Sequence, residues 1–217
     1  MRILCFIVLQ LVCLVAVSAQ DNQNKSGAVS AVSIGIVVDC SGTQRLQLDK
    51  TIAAIKQLTE AMRPGDEAFL VRFVDAQKIT VTQDFTSDKG ELQDAAEELY
   101  IEGGQTAVLD AVNFAARHFS ENPSGGDGRA RILILITDGG DDRKISERMD
   151  ASLNLLKQEK IRVFAIGLSD LTVSTKILER FSKDTGGKTF LPRMTMDVSN
   201  AIVDIMSAIH DEQPAKK

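Results

Sequence analysis

The sequence predicts a doubly wound α/β domain: a mostly parallel sheet with one antiparallel edge strand and helices on both faces. Three observations carry this. Strand-like and helix-like runs alternate from residue 31 to about residue 210, the pattern of crossover connections in a parallel sheet. The runs Val32–Val38 and Arg131–Thr137 are β-branched or apolar almost throughout, as expected of strands buried on both faces. Ala68–Val74 and Lys78–Thr82, joined by the tight Asp75-Ala76 link, read as a hairpin, which supplies the antiparallel strand.

In chain order, Val32–Val38 opens the domain as a buried strand. From Leu46 to Met62, apolar residues at Leu48, Ile52, Ile55, Leu58 and Met62 fall at helical spacing with one buried stripe. Arg63-Pro64-Gly65-Asp66 is a turn, followed by the hairpin strands. Lys89–Leu99 predicts a short amphipathic helix and Gly103-Gly104-Gln105-Thr106 a loop. Val108, Val112, Ala115 and Phe119 then line one face of another helix. Residues 122–128, with one Pro and three Gly, form a flexible turn before Arg131–Thr137, the strongest strand and an expected central one. After a turn at 139–142, a helix is expected over 145–160, a buried strand over 161–168, a helix over 173–184, a short strand over 188–191 and a closing helix over 198–209. No repeat of 20–50 residues is present.

The 217 residues suit one domain, here 31–210. Net charge is −5 and no Lys/Arg cluster exceeds two neighbours, which argues against nucleic acid or an anionic membrane as the main partner. Trp is absent and Tyr100 is the only tyrosine, so no aromatic platform for bases is expected. Residues 1–19 read as a cleaved signal peptide: Arg2, an apolar run Ile3–Val17, then Val17-Ser18-Ala19 in signal-peptidase form. That run of 15 residues is short of the roughly 20 a spanning helix needs. The expected location is therefore secreted or periplasmic, with no stable membrane span after cleavage. An uncleaved anchor and a lipoprotein built on Cys13 are the competing readings. Residues 20–30 form a polar, flexible leader and 211–217 a polar tail. After cleavage only Cys40 remains of three cysteines, so no internal disulfide is expected. Alternation with Asp39 and Ser41 turns Cys40 away from their side, as a small apolar group.

The chemistry concentrates in Asp39-Cys40-Ser41-Gly42-Thr43, directly after the first buried strand. One carboxylate and two hydroxyls at alternate positions place three hard oxygen donors at a strand's carboxyl end. Such donors suit Mg²⁺, Mn²⁺ or Ca²⁺, and ligands of open α/β sheets bind at that end. The Gly103-Gly104-Gln105-Thr106 loop and Thr137-Asp138-Gly139-Gly140 add oxygens at two further strand ends or loops.

The pattern Asp-x-Ser-x-Thr, a distant Thr, then Thr-Asp-Gly resembles a von Willebrand factor type A (VWA) domain, with its Rossmann-like fold shared with integrin inserted domains. The likeness spans about residues 31–210 and extends to Arg63-Pro64-Gly65-Asp66 and Thr106-Ala107-Val108-Leu109-Asp110-Ala111. It implies a metal-ion-dependent adhesion site. Ser41 and Thr43 would bind the cation through their hydroxyls, and Thr106 directly or through water. Asp39 and Asp138 would act mostly through bound water or as outlying charge. Thr43 stands where the family usually has Ser; its hydroxyl is an equivalent donor, but the methyl adds bulk and stiffens χ1. The resemblance also implies that a partner's Asp or Glu carboxylate completes the coordination of Mg²⁺ (or Mn²⁺/Ca²⁺).

The expectation is thus a secreted, cation-dependent protein-binding module rather than an enzyme, similar to short secreted bacterial members of the family. A metal-free scaffold domain is the alternative. A hydrolase using Ser41 or Thr43 would need a partnered base, and neither His118 nor His210 follows a strand end near Ser41; both read as satisfied or surface histidines. Asp110 is expected to hydrogen-bond the first loop, Asp141 and Asp142 to begin a helix, and Glu97-Glu98 and Arg143-Lys144 to be solvated.

Overall fold

The computed structural model describes residues 31–122, 129–140, 145–169 and 173–211. The expected signal peptide, the leader, the turn at 123–128 and the tail at 212–217 lie outside the described residues, as do Asp141, Asp142, Arg143 and Lys144.

Six strands form one sheet: β1 (Val32–Asp39), β2 (Glu67–Phe73), β3 (Ile79–Thr86), β4 (Ala130–Thr137), β5 (Ile161–Gly167) and β6 (Thr189–Phe190). Their order is β3-β2-β1-β4-β5-β6. Every neighbouring pair is parallel except β2 and β3, which run antiparallel and place β3 on the edge. The helices are α1 (Leu48–Ala61), α2 (Lys89–Glu97), α3 (Val108–Glu121), α4 (Ile145–Gln158), α5 (Thr175–Thr185) and α6 (Thr195–Asp211).

The two-residue period of a strand divides the central strands between two apolar layers. Ile34, Ile36 and Val38 of β1, with Ile132, Ile134 and Ile136 of β4, pack on one side against α1, α2 and α6. Val37, Leu133 and Leu135 pack on the other against α3, α4 and α5. This two-sided burial explains why β1 and β4 read as unbroken apolar runs. The second layer is tight at β1: a Cβ on Gly35 would stand 2.5 Å from the Phe69 ring and 3.0 Å from Phe119. Gly35→Ala is therefore expected to destabilise the domain by about 1–3 kcal/mol, the cost of overpacking a filled core. Urea denaturation measures it, and an unchanged midpoint would contradict the packing described.

Element ends shift where local chemistry interrupts periodicity. Helix α1 starts at Leu48 rather than Leu46, because Gly42–Gln44 form a 3₁₀ turn that leaves Leu46 74% exposed. Helix α6 starts before its apolar stripe, at Thr195. Asp197 Oδ2 there accepts from the backbone N–H of Met194 at 3.0 Å, tying the helix's first turn to the chain before it.

Candidate metal centre

β1 has β2 on one side and β4 on the other, and the crossovers from β1 and β4 pass to opposite ends of the sheet. The sheet's switch point therefore lies between β1 and β4, at their carboxyl ends, where the connecting loops part and leave a crevice. Asp39 is the last residue of β1 and Asp138 follows the last residue of β4. The fold thus brings the first and third predicted segments to the same crevice.

The second segment joins them. Thr106, half-buried just ahead of α3, donates its Oγ1–H to Ser41 Oγ at 3.0 Å. Ser41 Oγ lies 3.2 Å from Thr43 Oγ1. Three hydroxyls from two distant stretches of chain therefore converge, with Ser41 buried and Thr43 exposed. The 3₁₀ turn that carries Thr43 is fixed to the end of β5, where Gln44 Nε2 donates to the Leu168 carbonyl at 3.2 Å. The Asp138 loop borders the same place, since a Cβ on Gly140 would stand 3.9 Å from Thr106 Oγ1.

Beneath the hydroxyls sits Asp39, 3% exposed. Its Oδ1 accepts from the Ser41 N–H at 2.9 Å and its Oδ2 from the Thr137 hydroxyl at 2.6 Å. Burial pushes this carboxyl from its ordinary 3.8 up to about 6; the two hydrogen bonds oppose the rise and the charge of Asp138 adds to it. Asp138 Oδ1 accepts from the Gly140 N–H at 2.9 Å, and its carbonyl accepts from the Ser174 N–H at 2.7 Å. Between them Gly139 adopts φ +80°, and a Cβ there would meet the Ser174 carbonyl oxygen at 2.5 Å, so only glycine fits.

The rise at Asp39 has a consequence for stability in chelator. Because the folded value exceeds the unfolded one, the contribution favours folding fully below about 3.8 and is lost as pH rises through about 6. Over that span of roughly two pH units the loss is on the order of 3 kcal/mol. Denaturation in EDTA at pH 5 and pH 7.5 should therefore show a fall in stability that is markedly smaller in Asp39→Asn. An equal pH dependence in both proteins would contradict the assignment.

All five predicted residues, Asp39, Ser41, Thr43, Thr106 and Asp138, lie at this crevice. Among the described residues, no three His, Cys, Asp or Glu side chains cluster as metal donors. The donor set fits a hard dication: neutral hydroxyls in contact with one another, a buried carboxylate under them and a second carboxylate as its charged neighbour.

The remaining predicted residues have other roles. Cys40 points into the layer with α1 and α2, and burial pushes its thiol up to about 12, the behaviour of a packing residue. His118 bonds Asp84 at 2.9 Å and stacks on Phe85. His210 is buried against Asp66 at 2.8 Å. Asp110, expected to hydrogen-bond the first loop, lies in the first turn of α3 and accepts from Arg148 of α4 at 2.6 Å. Sequence reasoning overlooked the roles of Thr137 and Gln44; a hydroxyl ending an otherwise apolar strand was the available signal for Thr137.

The fold and the crevice define an open α/β domain with an oxygen-lined site at its switch point. The chain belongs to the von Willebrand factor type A domain family, whose model matches residues 33–206. Three solved structures share the fold. A von Willebrand factor type A protein from Catenulispora acidiphila is 17% identical over 85% of this chain and 44% of that one, with TM-score 0.73. The manganese-loaded TRAP protein of Plasmodium vivax is 19% identical over 82% and 74%, with TM-score 0.62. The von Willebrand domain of the type V pili tip protein Mfa5 from Porphyromonas gingivalis is 14% identical over 87% and 99%, with TM-score 0.65. Comparison with curated proteins gives no match. Among the described residues, no helix is long and apolar enough to cross a membrane.

Proposed function

We propose that this chain is an exported protein-binding module whose crevice holds a divalent cation, Mg²⁺ by preference or Mn²⁺ or Ca²⁺, for completion by a partner's Asp or Glu carboxylate. The carrying observation is the contact of the Ser41, Thr43 and Thr106 hydroxyls, at 3.0 and 3.2 Å, above the buried carboxylate of Asp39. Ser41, Thr43 and Thr106 would hold the cation, and Asp39 and Asp138 would orient hydroxyls and water around it. Bound there, a hard dication supplies an electrophilic point for an incoming carboxylate, because neutral hydroxyls leave its charge largely unquenched.

The chain's own residues prepare that point. Thr137 and the Ser41 amide hold Asp39 by both carboxylate oxygens, so its charge stays in one place. Thr106 and Thr43 flank Ser41, so the three oxygens share one opening. The manganese-loaded TRAP structure supports a metal in this fold, and the same fold occurs in a pili tip protein. The apolar run at 3–17 followed by Val17-Ser18-Ala19 supports export. For hydrolysis, Ser41 would need a base; its partners are the hydroxyls of Thr43 and Thr106, and both histidines are bound to carboxylates elsewhere.

Calorimetric titration with Mg²⁺ tests the reading. Wild type is expected to bind one ion, and Thr106→Ala to bind it about tenfold or more weakly, within the 10–100-fold range typical of site perturbations. Equal affinities would overturn the assignment of Thr106.

A further inference from the structure

We propose that Arg72 is a positioning residue for the metal centre, fixing the loop that delivers the Thr106 hydroxyl to Ser41. This rests on the site reading above. Ala68 and Leu70 of β2, and Val74 just after it, face the apolar layer shared with α1 and α2. Arg72 occupies the same register and is only 5% exposed, so a cation stands where the strand otherwise carries apolar side chains. A buried guanidinium is costly unless its donors are matched.

Two of its donors are taken up by one loop. Arg72 Nε donates to the Tyr100 carbonyl at 3.1 Å and Nη2 to Glu102 Oε2 at 3.2 Å, while its guanidinium carbon lies 3.9 Å from the centre of the Tyr100 ring. Glu102 is gripped from its other side by Lys78, at the start of the second hairpin strand. The Glu102 N–H also donates to the carbonyl of Cys40, between Asp39 and Ser41, at 3.0 Å. Gly104 then closes onto the hairpin, where a Cβ would stand 2.6 Å from Val74 Cγ1 and 2.8 Å from Asp75 Oδ2.

Residues 100–104 are thus held at several points to the ends of β1 and β2, and Thr106 lies two residues further on. The height of this loop sets whether the Thr106 oxygen reaches Ser41. A planar fork can serve a carbonyl and a carboxylate together; an ammonium cannot reproduce that geometry. Arg72 therefore acts through the loop and does not touch the cation.

Manganese titration of the full chain tests this with wild type, Arg72→Lys, Arg72→Met, Glu102→Gln, Thr106→Ala and the double variant Arg72→Met/Thr106→Ala. Arg72→Lys and Arg72→Met are expected to weaken Mn²⁺ binding about tenfold, and Glu102→Gln about threefold. The double variant should bind no more weakly than Thr106→Ala alone, a non-additivity that a general loss of stability would not produce. Hydrogen exchange at the Glu102 amide should accelerate in Arg72→Lys. Unchanged Mn²⁺ affinity in Arg72→Lys and Glu102→Gln, or additive losses in the double variant, would overturn the proposal while leaving the site reading intact. If Arg72→Met does not fold, Arg72→Lys and the half-exposed Glu102→Gln decide the matter. Wild type that binds no Mn²⁺ would overturn the site reading and this proposal together.

Discussion

Asp39→Ala is expected to weaken Mg²⁺ and Mn²⁺ binding by on the order of 100-fold while leaving the metal-free domain folded. Two opposing terms make this separation. The substitution removes a buried carboxylate whose ionised form is disfavoured by burial, which favours the variant at neutral pH. It also strips acceptors from the Thr137 hydroxyl and the Ser41 amide, at about 1–3 kcal/mol for each buried donor left unpaired. The terms are similar in size, so thermal stability in EDTA should change by only a few degrees. Affinity has no such compensation, because Ser41 loses the contact that orients its backbone and the site loses its buried charge. Calorimetry for affinity and thermal denaturation in EDTA for stability check the two halves. Full metal affinity in Asp39→Ala would remove this carboxylate from the site.

Asp66→Ala is expected to cost about 3–5 kcal/mol, the largest stability effect anticipated for a substitution outside the crevice. Asp66 is 2% exposed and joins three parts of the chain. Its Oδ1 accepts from the Val32 N–H at 3.0 Å, at the start of β1. Its Oδ2 accepts from the Arg63 N–H at 2.8 Å, closing the turn before β2, and is 2.8 Å from His210 Nε2 near the end of α6. Alanine would leave the buried Val32 N–H, the part-buried Arg63 N–H of the turn and a buried imidazole without their acceptor. Guanidinium denaturation should show the midpoint falling at an unchanged slope. A loss below about 1 kcal/mol would mean that this pairing does not tie α6 to the sheet.

The contrast between these two aspartates shows what could be read from sequence alone. β1 and β4 were legible because a strand covered on both faces must be apolar on both, and β3 because its pairing follows a short link. The hydroxyl site was legible because Asp39, Ser41 and Thr43 sit together after a strand, and Thr106 and Asp138 follow recognisable loop and strand ends. Asp66 reads only as part of a turn, because beyond Arg63 its partners lie 34 and 144 residues away and periodicity carries no trace of them. Thr137 was likewise hidden by the 98 residues that separate it from Asp39. Arg72 offered a fainter clue, a cation inside an apolar strand, but nothing local names the loop it holds. The sequence pattern places the start of α1 too early for a local reason: the 3₁₀ turn at 42–44 precedes the helix, and the exposed Leu46 is apolar without belonging to it.

Diffraction at the manganese absorption edge, from crystals grown with Mn²⁺, tests the central claim most directly. The account predicts one anomalous peak at coordination distance from Ser41 Oγ and Thr43 Oγ1, on the side of the crevice where Asp39, Thr106 and Asp138 meet. Crystals that show no peak there at saturating Mn²⁺, with the Ser41 and Thr43 hydroxyls still bonded only to each other and to Thr106, would contradict it.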